Sequence, residues 1–103
     1  MTFYLTREAE QDVISIYLYS AETFGPVQAE AYHEKLAATF RRLAEQPRIA
    51  RLRTEIDPPV RVHACGAHII IYGIQPDDSV LIVRVRHGSE DWMADDQLED
   101  EQL

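Results

Sequence analysis

The apolar residues of this chain change their spacing once, at Pro58-Pro59. Before that point Ala9, Val13, Ile16, Tyr17 and Phe24, then Ala29, Tyr32, Leu36, Phe40 and Leu43, recur at helical spacing. After it Val60, Val62 and Ala64 alternate with Arg61 and His63. The first period belongs to an α-helix and the second to a half-buried strand. A chain in that order builds helices first and a sheet last. Each must bury its apolar side against the other.

Punctuation residues set the boundaries. Phe3-Tyr4-Leu5 reads as a short strand. Thr6 is a good N-cap, and Glu8 and Glu10 fall in the first helical turn, where carboxylates suit the dipole. Ile14, Leu18 and Ala21 widen the apolar stripe, which predicts that the first helix is covered on two sides. Gly25-Pro26 ends that helix and opens the next, since proline at the first helical position lacks only a donor the helix does not use. Pro47 stops the second helix. So short a link predicts an antiparallel helix hairpin.

Residues 48–59 read as irregular and arginine-rich. Cys65-Gly66-Ala67 and Gln75-Pro76-Asp77-Asp78-Ser79 read as turns around the strand His68 to Ile74, which is apolar on both faces. In the last strand, Val80 to Arg86, alternation puts Leu81, Val83 and Val85 on one face and Ile82, Arg84 and Arg86 on the other. His87 then falls with Val85 and faces the helices. Arg61, His63, Arg84 and Arg86 gather on the opposite face. The predicted fold is α+β: an N-terminal antiparallel helix hairpin packed on a small antiparallel β-sheet, in the order β-α-α-β-β-β. Residues 1–91 form one domain and residues 92–103 an acidic tail.

Charge narrows the function. Nearly all of the formal net charge of −8 comes from residues 89–103, which hold Glu90, Asp91, Asp95, Asp96, Glu99, Asp100 and Glu101 and no Lys or Arg. Arg41, Arg42, Arg48, Arg51, Arg53 and Arg61 make the middle basic. Cations dominate affinity for a phosphate backbone, so this balance disfavours direct nucleic-acid binding by the chain alone. No run of about 18 apolar residues marks a membrane span. A single cysteine, Cys65, gives no internal disulfide and no zinc cluster. With an N-terminus unlike a secretory signal, this predicts a cytoplasmic protein with no metal and no cofactor.

Several segments, in order, resemble a ParE-type toxin of the RelE/ParE superfamily. They are Phe24-Gly25-Pro26 with Gln28-Ala29, Leu43-Ala44-Glu45-Gln46-Pro47, Arg51 and Arg53, Val60-Arg61-Val62, His68-Ile69-Ile70-Ile71-Tyr72 and Val83-Arg84-Val85-Arg86-His87-Gly88. The resemblance runs to about residue 91. It implies the toxin of a type II toxin–antitoxin system, neutralised by a ParD-like antitoxin with a ribbon-helix-helix DNA-binding start. ParE-like members poison DNA gyrase; RelE-like relatives cut mRNA on the ribosome. The fold alone does not choose between them.

RNA cleavage by 2′-hydroxyl attack needs a base, cations for the phosphate and an acid for the leaving oxygen. The nuclease candidates are Arg61, His63, Arg84, Arg86 and His87. Against them, the single lysine, Lys35, lies on the second helix, and Ser89-Glu90 stands where relatives often carry arginines. The favoured reading has no catalytic residue. Arg51, Arg53, Arg84, Arg86, His87 and Asp91 then form the target surface, and Ile14, Leu18 and Tyr19 the antitoxin surface. The alternatives are a RelE-like ribosome-dependent endoribonuclease and an inactivated relative that keeps only antitoxin binding.

Overall fold

The computed structural model describes residues 2–88. Strand β1 (Phe3–Leu5) leads into helix α1 (Arg7–Phe24) and helix α2 (Pro26–Glu45). A 3₁₀ turn, Pro47–Ile49, and a two-residue strand β2 (Leu52–Arg53) follow. The chain ends in β3 (Val60–Cys65), β4 (His68–Ile74) and β5 (Val80–His87).

The helix boundaries follow from the residues named above. Thr6 Oγ1 accepts from the Ala9 N–H at 3.0 Å and donates to the Val83 carbonyl at 2.8 Å, so one hydroxyl caps α1 and ties it to β5. Gly25, at φ 94°, closes α1 through its N–H to the Ala21 carbonyl and opens α2 by accepting from Ala29. A side chain at that φ would strain the backbone although the space around it is open, which is why the tight link uses glycine.

The β3-β4-β5 meander is antiparallel as expected, but the sheet is mixed and has five strands in the order β1-β5-β4-β3-β2. β1 pairs in parallel with β5, Phe3 opposite Val80 and Leu5 opposite Ile82. β2, inside the stretch read as irregular, pairs with β3 at Val60 and Arg61. The core lies between the hairpin and one sheet face. Leu36, Phe40 and Leu43 of α2 pack there with Ala9, Cys65, Ile70, Tyr72, Val80, Ile82 and Val85. Tyr72 is fully buried and donates its hydroxyl to the Pro47 carbonyl at 2.7 Å.

Three strand expectations are corrected. On β5 the buried set is Val80, Ile82 and Val85, not Leu81, Val83 and Val85. Ile71 stands opposite Arg84 and Tyr72 opposite Ile82, so Val83 is an extra residue and the alternation changes phase there. On β3, Arg61 and His63 stand opposite Tyr72 and Ile70, in phase with buried Cys65. They therefore face the helices, while Val60, Val62 and Ala64 face away. Cys65 itself is no turn residue: it ends β3 in the core, with Sγ 3.3 Å from Thr39 Oγ1.

Candidate functional site

Helix α1 leaves much of its apolar surface in water. Its deepest residues are Ala9 and Ser20, while Ile14, Leu18, Tyr19 and Phe24 are 50–64% exposed. Ile14 and Leu18 stand one turn apart and share a face of the helix; Tyr19, the next residue, points about 100° further round. Val27, just past the hairpin bend, is 85% exposed. The predicted two-sided cover is therefore absent among the described residues. Exposed apolar side chains grouped on one helix face mark a docking surface more often than scattered ones do.

Beside the patch, α1, α2 and the end of the sheet enclose a cleft of about 560 Å³. Ile16, Tyr19 and Phe24 supply apolar wall; Tyr32, His68 and His87 supply the polar end. His68 opens β4 and His87 closes β5, so the antiparallel register sets them opposite each other, with ring centroids 5.3 Å apart. Tyr32 reaches across from α2, its hydroxyl 2.6 Å from His68 Nδ1 and 3.1 Å from the Cys65 carbonyl. It also accepts from the Ala67 N–H at 3.2 Å. One hydroxyl proton serves two acceptors. Where Nδ1 is bare, the hydroxyl donates to it; where Nδ1 carries a proton, Nδ1–H donates to the tyrosine oxygen and the hydroxyl turns to Cys65. Both arrangements keep Tyr32 bonded. Burial pushes the Tyr32 hydroxyl's pKa above the ordinary tyrosine value, so it stays a hydroxyl. No Asp, Glu, Lys or Arg among the described residues lines the cleft.

The sequence-predicted residues do not converge. Arg84 is held at the rim of α1: its Nε donates to Asp12 Oδ2 at 2.8 Å and a terminal nitrogen to Oδ1 at 3.1 Å. Arg86 stands opposite Ile69 on the face away from the helices. Arg61 and His63 lie on the other face, and Arg61 donates to the Ala50 carbonyl. The expected gathering of Arg61, His63, Arg84 and Arg86 on one sheet face is thus overturned by the register of β3 with β4. His87 does sit on the helix side, in the cleft. Arg51 pairs with Glu55 at 3.1 Å, and Arg53 is on the edge strand β2. Asp91 and the tail lie outside the described residues.

Sequence reasoning did not single out Tyr32, His68 or Asp12. His68 was detectable: the first residue of one hairpin strand and the last of the next must face each other. Tyr32 and Asp12 act over long sequence separations, and no local pattern marks such partners.

A helix hairpin on a mixed five-stranded sheet is an α+β fold, the class that the resemblance to ParE-type toxins implied. Residues 3–92 match the model of a family described as the ParE toxin of the type II toxin–antitoxin system parDE. The chain belongs to that family. It is 33% identical to Toxin ParE1 of Caulobacter vibrioides over 82% of this chain and 86% of the relative. It is 31% identical to Toxin ParE of Escherichia coli over 91% and 92% of the two chains. Among solved structures, the fold matches a chain of the "Chromosomal ParDE TA system from P. aeruginosa" with a TM-score of 0.70 at 22% identity, over 84% of this chain and 95% of that one.

Proposed function

We propose that this ParE-family toxin acts by binding DNA gyrase, without catalysing a reaction, and that a ParD-like antitoxin silences it by covering Ile14, Leu18 and Tyr19 on α1. The observation that carries the reading is the exposed apolar face of α1 beside a cleft without lining cations. Such a face suits an amphipathic partner helix. The ParDE pairing named for the P. aeruginosa structure supports a ParD-type partner. The proposed target surface uses Arg51 and Arg53 at one sheet edge and Arg84, Arg86 and His87 on β5, with Asp91 beyond the described residues. β2 and β5 are three strand spacings apart, about 14 Å, so the target meets two separate stretches. No helix among the described residues is long and apolar enough to cross a membrane.

Purified chain added in stoichiometric excess to gyrase is expected to inhibit supercoiling, with relief by the partner. Unchanged supercoiling removes the main support for the reading. A second reading, mRNA cleavage on the ribosome, is favoured by the Tyr32, His68 and His87 cluster alone. Message cut in a translating extract, and left whole by His68→Ala and His87→Ala, would establish it.

A further inference from the structure

The edge of the sheet at β3 has features that the docking of a helix on α1 does not use. β2 pairs only with Val60 and Arg61. From Val62 to Cys65, β3 therefore has a strand neighbour on one side, β4, and none on the other among the described residues. The two-residue turn Gly66-Ala67 makes Cys65 and His68 the bonded pair that closes the hairpin. In an antiparallel ladder alternate residues turn their N–H and C=O outward, and next to Cys65 that residue is Ala64, which is exposed.

Cations line both sides of this edge. Lys35 and Arg42 are seven residues apart on α2, hence two turns apart on one face. Thr39, between them, touches Cys65, and the Lys35 carbonyl lies 4.0 Å from Cys65 Sγ, so this face of α2 runs along β3. Arg42 is close enough to His63 to act on its charge. On the other side of the sheet Arg53 stands opposite Val60. Arg42 and Arg53 close no ion pair within 4 Å among the described residues, whereas Glu34 and Glu55 are engaged by Arg41 and Arg51. Ile49 and Leu52 add exposed apolar surface nearby. Arg53 also acts on the Glu55 carboxylate, yet on a chain of net charge −8 three cations around one strand edge are a local departure.

We propose that the β3 edge is a docking surface for an extended acidic protein segment, which adds a strand beside Val62–Cys65. Alternate side chains of an added strand point to opposite sheet faces. Carboxylates on one side then meet Lys35 and Arg42, and those on the other meet Arg53. Backbone pairing at Ala64 supplies affinity and the cations supply selectivity. A nucleic acid is disfavoured because it cannot pair with the strand's N–H and C=O groups. This surface is separate from the α1 face and does not depend on the partner or target proposed above.

The test uses the full chain alone and a fluorescein-labelled ten-residue peptide in which pairs of glutamates alternate with valine-threonine pairs, so that carboxylates fall on both faces of the added strand. A lysine-for-glutamate peptide and a ten-nucleotide oligo(dT) are the comparison probes. Anisotropy should show saturable binding of the acidic peptide only. The affinity should fall about tenfold or more in Lys35→Glu/Arg42→Glu and weaken at high salt. Exchange of the Ala64 amide should slow in the complex. Ala64→Pro removes that donor and should also abolish binding; the double charge variant keeps the test valid if the proline variant does not fold. Equal binding of the lysine peptide, preference for oligo(dT), no binding at millimolar peptide, or unchanged affinity in the charge variant would each overturn the proposal.

Discussion

Asp12 and Arg84, 72 residues apart, form a two-point ion pair that pins α1 to β5. The same carboxylate accepts from the Val85 backbone N–H at 3.0 Å. Asp12 thus satisfies a strand donor just past the point where β1 stops pairing. Arg84, one of the nuclease candidates, is engaged in holding the sheet to the helix.

Replacing Asp12 by Ala removes all three bonds. The expected cost is about 2 kcal/mol, with the pair's own share kept small because Arg84 is partly exposed. Asp12→Asn, which keeps an acceptor, should cost about half as much. Urea unfolding of both variants measures this; a midpoint unmoved in Asp12→Ala would show that the contact contributes nothing.

Gly66 and Tyr32 are coupled by space. A Cβ on Gly66 would lie 2.8 Å from the Tyr32 ring and hydroxyl, and Gly66 has φ 59°. Gly66→Ala is expected to destabilise by about 2–3 kcal/mol, combining left-handed strain with the clash. In a Tyr32→Leu background the clash is relieved, so the added cost of the alanine should drop to about 1 kcal/mol. Equal cost in both backgrounds would show that the ring is not the obstacle.

His63 gives stability a pH dependence. Burial disfavours its charged form, and the Arg42 guanidinium adds to the effect, so its folded pKa lies below the ordinary histidine value. The unfolded chain then binds the proton more readily. The stability from this group is complete above about pH 6.5, declines as the pH falls from there to the folded pKa, and levels off below it. Unfolding free energies for the wild type and His63→Gln should diverge across that window. Parallel curves would refute the assignment.

Much of this fold is legible in the sequence. Ala29, Leu36, Phe40 and Leu43 carry a clean helical period, and all four are buried. Thr6, Gly25 and Pro47 mark helix ends by local chemistry, and the structure uses them so. What failed was the facing of the strands. β4 is apolar on both sides, so its neighbours' inward phase depends on register, which alternation within one strand does not encode. The bulge at Val83 is likewise set by the partner strand. Of the candidate site, His87's helix-side position was readable. The Tyr32 and His68 contacts were not, because they join elements far apart in the chain.

Charge placed on the exposed α1 face separates folding from binding. Ile14→Lys and Leu18→Lys should shift stability by no more than about 0.5 kcal/mol, since both side chains are already half in water. Titration with the cognate antitoxin should nevertheless show affinity lower by about tenfold or more. Undiminished affinity in the double variant would move the partner's seat elsewhere.

The parallel pairing of β1 with β5 joins the first strand made to the last. While the chain is being synthesised, Phe3–Leu5 has no neighbour until Val80–Ile82 has emerged. The helix-hairpin segment is complete in the chain well before the sheet face it covers. Such distant pairing makes closure of the sheet a late folding event. A product that stops short of Val80 carries both helix segments but lacks the strand against which its N-terminus would settle.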